Sequence, residues 1–524
     1  MARRFPLQWG NKKGECIMEL NDWIIFAAML AYMALVIIIG LLYAKRNQST
    51  DQFYLGGRGL GPWVTAMSAE ASDMSGWLLM GLPGVAYISG AGEAAWTAIG
   101  LALGTYLNWR VVSVRLRKYT EISGNAITVP DFFNNRFKDK SKVLMTVSAL
   151  IILAFFTVYV ATGFVACGKL FNSIFGFDYV TMMLISAGVI VLYTVIGGFL
   201  AESTTDFIQG ILMCISLVVV LIVGVVSAGG AKEVIDTLSA QDGFLSLTKI
   251  FDVKTGTAAS FGIIPIVSTM AWGLGYFGMP HVLLRFMAIR NTNELKKSRI
   301  VATIWVVISL IAAVLIGLVG AVKFAGVLTP AQSETIFIHT STALLPPIIA
   351  GIMMSGIMAA TMSTSDSQLL ISSSAVSTNL FKGLLKPNAT DKQVMWVSRA
   401  TIVIVTIISA FLALNEESSI FGLVSYAWAG FGAAFGPIML FSLFWKRTTR
   451  AGAIAGMLAG GVMVPLWKHV ISGLNPVLNV YELLPAFIIS CLVILVVSLL
   501  GKVPSTEISD EFDKVVLAVR NKEA

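Results

Sequence analysis

Long apolar runs alternate with short polar connections along nearly the whole chain. Runs of about 20 apolar residues are long enough to cross the hydrocarbon core of a bilayer as α-helices. The pattern predicts an all-α polytopic membrane protein with thirteen spans and no large polar domain. The predicted spans are centred near Leu35, Ser75, Leu103, Phe155, Ile190, Val218, Trp272, Leu310, Met358, Thr406, Ala433, Gly460 and Val493.

The composition agrees with a membrane protein and excludes several other classes. Of the 524 residues, 56% are hydrophobic and only 13% are charged, whereas soluble domains carry about 25% charged residues. The net charge of +8 is not gathered into a basic and aromatic patch, so no nucleic-acid partner is expected. The cysteines form no CxxC pair and the three histidines have no metal-ligand spacing.

The positive charges predict the orientation of the spans. Connections after odd-numbered spans are rich in Lys and Arg, which marks the cytoplasmic side. We therefore expect a multi-pass protein of the plasma (inner) membrane, with the N-terminus outside and the C-terminus in the cytoplasm. Four basic residues in the first 13 positions argue against this orientation, unless Met18 is the natural start or the later loops dominate. The basic connections contain Lys45, Arg46 and Arg58, the stretches RLRKYT and NNRFKDKSK, Arg290, Lys296, Lys297 and Arg299, Lys382, Lys386 and Lys392, and KRTTR.

Two spans are interrupted at corresponding places. The second span contains SDMSGWLLMGLPG, and the seventh contains IVSTMAWGLGYFGMPH. Glycine and proline weaken helices, although either interruption alone is as typical of ordinary packing or a kink as of a functional break. Because the two spans are five apart, they cross the membrane in opposite directions, which is the pattern of an inverted-repeat transporter.

This pattern divides the chain into five segments. The predicted repeats are spans two to six and seven to eleven, with one extra helix before them and two after. The segments are an outside tail (1–21), the first transmembrane helix (22–50), the transport core (51–450), the last two transmembrane helices (451–501) and a cytoplasmic tail (502–524).

A helix that breaks at mid-membrane frees backbone groups that lipid cannot satisfy. Freed carbonyls suit a small hard cation, and freed amides at the start of a half-helix suit a carboxylate. Asp73 lies in the second-span break, and an intramembrane carboxylate indicates function, with a cation as its partner. In the ninth span, Ser363 and Thr364 adjoin each other and offer two oxygens to one ion, unless they only bond their own backbone.

The chain resembles the sodium/solute symporter family, and within it the bacterial proline-transporting branch. The stretches that carry the resemblance are YLGGRGLGPWVTAMSAEASDMSGWLLMGLPG, YTVIGGFLAESTTDFIQ, WGLGYFGMPHVLLRFMA, MAATMSTSDSQLL and GLVSYAWAGFGAAFGP. The resemblance implies a leucine-transporter-like fold and Na⁺-coupled symport of L-proline into the cell. Another small amino acid or a carboxylate solute is the alternative substrate, and no obligate protein partner is expected besides membrane lipid.

The resemblance also implies site residues. The sodium site comprises the backbone carbonyls of Ala71, Met74 and Ala360 and the hydroxyls of Ser363 and Thr364, with Asp73 needed for sodium coupling directly or indirectly. Arg58 and Asp206 match charged positions that affect transport. The residues implied for proline binding are Ser75, Gly76, Trp77, Gly81, Tyr159, Trp272, Tyr276 and Pro280.

Two acidic residues depart from the family pattern. Glu70 stands where an uncharged residue is expected, and Glu202 lies one helical turn before Asp206. Each either alters cation affinity or proton sensitivity, or simply faces solvent or pairs with a cytoplasmic arginine.

Other functions fit the sequence less well. A membrane enzyme requires a nucleophile and base or a metal cluster, and His281 has no evident partner in the sequence, so no catalytic residue is expected. A channel would show pore-lining repeats, and a transporter-like sensor would carry a large signalling domain after the last span.

Overall fold

The computed structural model describes residues 18–44, 50–253 and 255–523. Most of these residues are helical, as predicted. The helices are α1 (Leu20–Ala44), α2 (Thr50–Leu55), α3 (Pro62–Asp73), α4 (Leu82–Ser89), α5 (Ala91–Val111), α6 (Ser113–Ile122), α7 (Val129–Arg136), α8 (Val143–Phe175), α9 (Tyr179–Ser227), α10 (Ala231–Ser239), α11 (Ile263–Met270), α12 (Pro280–Ala288), α13 (Leu295–Lys323), α14 (Ile336–Leu344), α15 (Pro347–Ser374), α16 (Asp391–Leu412), α17 (Ile420–Phe444), α18 (Arg450–His469), α19 (Leu483–Leu500) and α20 (Thr506–Glu523).

The membrane-spanning architecture is confirmed. Within the described ranges, nine helices are long and apolar enough to cross a membrane, or ten if α11 and α12 form one bent span. Helix α9 has 49 residues and covers predicted spans five and six. Gly198, whose backbone is non-helical (φ 67°, ψ 177°), divides it into two helical parts that correspond to these spans. The total of thirteen spans is compatible with this arrangement and stays a prediction.

Two regions lie apart from the predicted spans. Strands β1 (Lys249–Asp252) and β2 (Thr257–Ser260) pair antiparallel in the long connection before α11, where no strand was predicted. The basic N-terminal tail and the Lys45–Arg46 pair fall outside the described residues. At the other end, α20 packs on α6, with the ring of Phe512 at 6.4 Å from that of Tyr119.

The second span is broken where the sequence predicts it. Helix α3 starts with Pro62 and ends at Asp73, and the backbone of Met74 (φ −83°, ψ 78°) leaves the helical path. A π-helical turn, Trp77–Gly81, then leads into α4. Glycine is required next to the break, because a Cβ on Gly76 would lie 2.9 Å from the Cβ of Ala166 in α8.

The seventh span is broken in a corresponding way. Helix α11 continues as a 3₁₀ segment, Ala271–Phe277, before α12 begins at Pro280. The two helical parts are bent by 42°. Proline suits the first position of α12, where its missing N–H has no helical partner in any case. The matched breaks are those expected of two inverted repeats.

Helix α15 occupies the centre of the bundle and packs against α3, α8 and α9. Every residue from Met353 to Ser374 is buried, although this stretch is rich in Ser and Thr. A helix that is both polar and buried has to satisfy its side chains against protein neighbours. Two of its hydroxyls, those of Ser363 and Thr364, lie against the carbonyl of Ala71 beside the break in the second span, and this places the candidate site.

We expect Gly104→Leu to disrupt the seventh-span break. A Cβ at this α5 position would lie 2.3 Å from the carbonyl oxygen of Gly273, so the 3₁₀ segment would have to move. Overpacking costs typically 1–3 kcal/mol, which should lower thermal stability and monodispersity on size-exclusion chromatography. The control is Gly188→Leu in α9, since a Cβ there meets no heavy atom within 4 Å. Equal losses in both variants would contradict the close approach.

Candidate functional site

Four of the oxygens predicted to bind an ion lie together where α3 meets α15. The hydroxyl of Ser363 donates to the carbonyl of Ala71 at 2.7 Å and lies 3.2 Å from the carbonyl of Ala360. The hydroxyl of Thr364 lies 3.5 Å from the same Ala71 carbonyl. All of these residues are buried. Buried neutral oxygens from two helices form the kind of donor set that hard cations prefer.

Met74, the fifth member of the predicted set, lies at the break itself and is fully buried. Its ψ of 78° turns its carbonyl away from the direction of the α3 hydrogen-bond ladder. The backbone conformation of Met74 therefore leaves its carbonyl oxygen oriented as an ion ligand at a helix break requires.

Asp73 is held by the seventh span. The hydroxyl of Tyr276 donates to Asp73 Oδ2 at 2.8 Å, and His281 Nε2 lies 3.5 Å from Oδ1, beyond an ordinary hydrogen bond. The Asp73 carbonyl accepts bonds from Tyr159 Oη at 3.1 Å and Trp77 Nε1 at 3.3 Å. Asp73 is thus adjacent in sequence to the α3–α15 oxygens, while its carboxylate partners come from the other broken span. His281, which has no evident partner in the sequence, gains Asp73 as a neighbour.

Trp272 and Trp77, two of the predicted aromatic residues, lie in one aromatic cluster centred on Trp272. Its ring centroid lies 5.9 Å from that of Trp77, 5.1 Å from Phe421 and 5.4 Å from Tyr481, on which it stacks. Aromatic faces of this kind provide an apolar wall with polar edges.

Trp428 joins the two aromatic positions of the seventh span. Its Nε1 donates to the carbonyl of Trp272 at 2.7 Å, and its ring meets Tyr276 edge-on at 5.1 Å. Sequence reasoning missed Trp428 and Tyr481. Trp428 lies inside the GLVSYAWAGFGAAFGP motif, so a signal was present, whereas Tyr481 lies in a connection beyond the predicted core and only its packing identifies it.

The remaining predicted substrate positions are placed differently. The amide of Ser75 donates to the Asp73 carbonyl at 3.0 Å, so it already has a backbone partner. Gly81 lies against Phe421, since a Cβ on Gly81 would be 3.2 Å from the Cβ of that residue. Pro280 lines a different pocket, together with Tyr54 and Leu370. The structure therefore brings Gly81 to the aromatic cluster, whereas Pro280 lies in a separate pocket.

Arg58 lies away from these groups and ties loops together. Its guanidinium donates to Met287 O at 2.8 Å, Ala126 O at 2.9 Å and Thr120 Oγ1 at 3.2 Å. It thereby connects the residues before α3 to the ends of α6 and α12.

Asp206 belongs to a buried charge network centred on Arg285 of α12. Asp206 Oδ2 accepts from Ser68 Oγ at 2.7 Å and from Arg285 Nη2 at 3.2 Å. The same Nη2 bonds Glu202 and Ser367, the latter at 2.8 Å. Oxygens of Glu202 and Asp206 also remain without a hydrogen-bond partner among the described residues. The network links α3, α9, α12 and α15.

The two departures from the family pattern are both buried. Of the alternatives for Glu70 and Glu202, exposure to solvent is excluded, since only 1% and 3% of their surfaces are exposed. Glu70 accepts a 3.0 Å bond from Trp109 Nε1, and Glu202 pairs with Arg285, an arginine inside the bundle and not in a loop.

Comparisons with known proteins agree with this fold. The family model for the sodium:solute symporter family matches residues 53–460. The chain is 46% identical over 479 residues to the high-affinity proline transporter PutP of Bacillus subtilis (strain 168), covering 91% of this chain and 98% of that protein. It is 44% identical over 487 residues to the sodium/proline symporter of Escherichia coli (strain K12), covering 92% and 94%.

Two solved structures share the fold. A Na⁺-coupled sialic acid symporter in a substrate-bound outward-open state superposes with a TM-score of 0.75 at 21% identity, covering 92% of this chain and 99% of that one. MhsT in complex with L-phenylalanine superposes with a TM-score of 0.52 at 18% identity, covering 83% and 97%. The predicted leucine-transporter-like fold is confirmed, and the chain belongs to the sodium:solute symporter family, whose members are transporters and not enzymes.

Proposed function

We propose that this protein carries L-proline into the cell together with Na⁺. The observation that carries the proposal is the meeting of the second-span break with the hydroxyls of α15 on one side and the Trp272 cluster on the other. The names of the relatives, a high-affinity proline transporter and sodium/proline symporters, favour proline over other solutes. Another small amino acid or a carboxylate solute is the alternative.

In this proposal, Na⁺ is bound by the carbonyls of Ala71, Met74 and Ala360 and the hydroxyls of Ser363 and Thr364. Contacts of Ser363 and Thr364 with Ala71 O support the assignment, because the ion would replace hydrogen bonds among groups that already lie together. An ion held by both helices joins the second span to α15. It thereby fixes the position of the broken backbone that faces the substrate.

Proline binds, in this proposal, against the aromatic cluster. Its ring packs on Trp272 and Tyr276, with Trp77, Gly81 and Tyr159 around it. Its carboxylate is placed near the amides of Ser75 and Gly76 and displaces the Ser75–Asp73 backbone bond. Its secondary ammonium faces aromatic surfaces and freed carbonyls. Pro280 contributes by starting α12 and so fixing the break.

Asp73 couples the two ligands. Its backbone follows Ala71 by two residues, and its carboxylate accepts the Tyr276 hydroxyl at 2.8 Å. A shift of the α3 end on Na⁺ binding is thereby transmitted to the aromatic wall, which gives reciprocal positive coupling between sodium and proline. Asp206 and Arg58 act as positioning residues, the first through Arg285 and the second through the loops that it joins.

The driving force is sufficient for uptake. One Na⁺ moving down 100 mV releases about 2.3 kcal/mol, and a tenfold concentration gradient adds about 1.4 kcal/mol. Together these energies support roughly several-hundred-fold accumulation of a neutral zwitterion. The direction requires the predicted orientation in the plasma membrane, with the N-terminus outside and the C-terminus in the cytoplasm. The protein acts within membrane lipid and without an obligate protein partner.

The direct test is uptake by proteoliposomes. Labelled L-proline should accumulate under an imposed Na⁺ gradient and should not accumulate under a K⁺ gradient of the same size. Unlabelled proline should compete, whereas phenylalanine and a pantothenate-like acid should not. Uptake that ignores Na⁺, or that follows another solute in preference to proline, would overturn the proposal.

We expect Ser363→Ala and Thr364→Ala to raise the Na⁺ concentration needed for half-maximal uptake by roughly tenfold to a hundredfold. Each variant removes one buried oxygen, a loss of roughly 1–3 kcal/mol. Apparent proline affinity should recover as Na⁺ is raised, because the coupling is reciprocal. The control is Ser355→Ala, since the Ser355 hydroxyl donates to Gly351 O of the same helix. A proline affinity that stays low at saturating Na⁺ would contradict the sodium assignment and would indicate that the two hydroxyls belong to the substrate pocket.

We expect Tyr276→Phe to lower kcat/KM for proline by about tenfold or more, although the ring is retained. The change leaves Asp73 Oδ2 without its 2.8 Å partner, and an unsatisfied buried acceptor costs about 1–3 kcal/mol. Tyr179→Phe is the control, because the Tyr179 hydroxyl donates to Ala413 O at 2.7 Å, away from the cluster. Proline uptake kinetics measured across a sodium titration distinguish Tyr276→Phe from the Tyr179→Phe control. Equal kinetics for Tyr276→Phe and wild type would remove Asp73 from the coupling.

A further inference from the structure

An open, strongly basic pocket lies at one end of the bundle, apart from the site described above. It forms where the end of α5 and the start of α6 meet the start of α13 and the C-terminal helix α20. The pocket encloses about 1280 Å³, including the solvent at its mouth. Its walls include the basic side chains of Arg110, Lys296 and Arg299, together with Asn293 and Val519.

The three basic side chains line the same pocket without a counterion, and the Arg299 guanidinium lies over the Tyr106 ring at 5.6 Å. Among the residues whose side chains are described, no acidic group lies within ion-pair distance of Arg110, Lys296 or Arg299. The neighbouring Arg290, by contrast, is paired with Glu294 at 2.8 Å. Three unpaired positive charges around one cavity repel each other, and an anion in that cavity relieves the repulsion.

The donors in the pocket fit a phosphate group. Two guanidinium groups offer paired N–H donors that match phosphate oxygens, and a lysine ammonium adds a compact charge. Asn293 contributes an amide to the same wall. Trp109 closes the back of the pocket, so an anion there lies against protein on one side and against solvent on the other.

The surroundings identify a lipid as the source of the phosphate. On α5, Leu103 and Leu107 are 51% and 45% exposed, and on α13 Ile304 is 56% exposed. These apolar side chains line the outer faces of the two helices whose ends form the pocket, so acyl chains would lie against them. A basic pocket between the ends of transmembrane helices, at the depth of the headgroups, is the setting in which anionic lipids bind.

We propose that this pocket binds the phosphate of an anionic phospholipid, with Arg110, Lys296 and Arg299 as its ligands. The proposal does not depend on the transported solute. A soluble phosphate would use the same three side chains, but it would gain nothing from the apolar faces of α5 and α13.

Hydrogen bonds connect the pocket to the transport site. Trp109, at the back of the pocket, donates to Glu70 at 3.0 Å, and Glu70 precedes Ala71 in α3. Next to it, Asn108 Nδ2 donates to the carbonyl of Tyr276 at 3.0 Å. The end of α5 thus contacts both broken spans, and lipid occupancy is expected to change transport. This last effect rests on the proposed function, whereas lipid binding does not.

The test is native mass spectrometry of the full-length protein with added phosphatidylglycerol, phosphatidylcholine or inorganic phosphate. We expect the wild type to retain phosphatidylglycerol in preference to phosphatidylcholine. The triple variant Arg110→Gln/Lys296→Gln/Arg299→Gln should bind phosphatidylglycerol at least about tenfold more weakly, because each basic group near the surface contributes to anionic-lipid affinity. The matched control is Lys382→Gln/Lys386→Gln/Lys392→Gln, which removes the same charge outside the pocket and should bind as the wild type does.

Other results would overturn the proposal. Equal retention of phosphatidylcholine would show that the pocket does not select anionic lipid. Displacement of phosphatidylglycerol by millimolar inorganic phosphate would identify a site for free phosphate. If the triple variant does not fold, Lys296→Glu decides, since it places an acidic group at an exposed position of the pocket and should weaken phosphatidylglycerol binding several-fold. Unchanged phosphatidylglycerol binding by Lys296→Glu contradicts the proposal. A change in proline uptake without a change in phosphatidylglycerol binding would show that the lipid has no role in transport.

Discussion

A helix that breaks inside a bilayer exposes backbone groups to a medium that cannot hydrogen-bond them. In this protein the break after Asp73 is stabilised by side chains from two other helices. Ser363 of α15 donates to the carbonyl of Ala71, and Tyr159 of α8 donates to the carbonyl of Asp73. The break thus determines which helices surround it, and the central position of polar, buried α15 follows from the same requirement.

A second constraint is the burial of charge. Arg285 is fully buried and faces carboxylates from α9, while Ser68 of α3 and Ser367 of α15 complete its hydrogen bonds. Loss of one member of such a network leaves an uncompensated charge in a low-dielectric interior. The network therefore fixes the relative positions of four helices around the second-span break, although none of its members lies in the aromatic cluster.

Asp73 contacts both groups of residues in the candidate site. Its carboxylate bonds the Tyr276 hydroxyl in the aromatic cluster, while its main chain lies two residues from the carbonyl that Ser363 contacts. Its other carboxylate oxygen, Oδ1, accepts no hydrogen bond from the described residues and lies 3.5 Å from His281 Nε2. The geometry therefore assigns Asp73 to the connection between the two groups of residues.

The sequence by itself determined the membrane-spanning helices, the two breaks and the presence of hydroxyls and a carboxylate near them. Those features depend on local properties: the length of apolar runs, the weak helix formation of Gly and Pro, and the cost of an intramembrane charge. The family motifs extended this to the full candidate site, including backbone carbonyls that no side-chain pattern reveals.

Only the tertiary structure decided which groups meet. Asp73 and Tyr276 are 203 residues apart in the chain, and Trp428 and Trp272 are 156 apart. Periodicity states which face of a helix is buried but not which other helix covers it. For the same reason the burial of Glu70 against Trp109, the pairing of Glu202 with Arg285, and the arrival of Tyr481 beside Trp272 were beyond sequence reasoning, because each depends on the packing of faces that are distant in the chain.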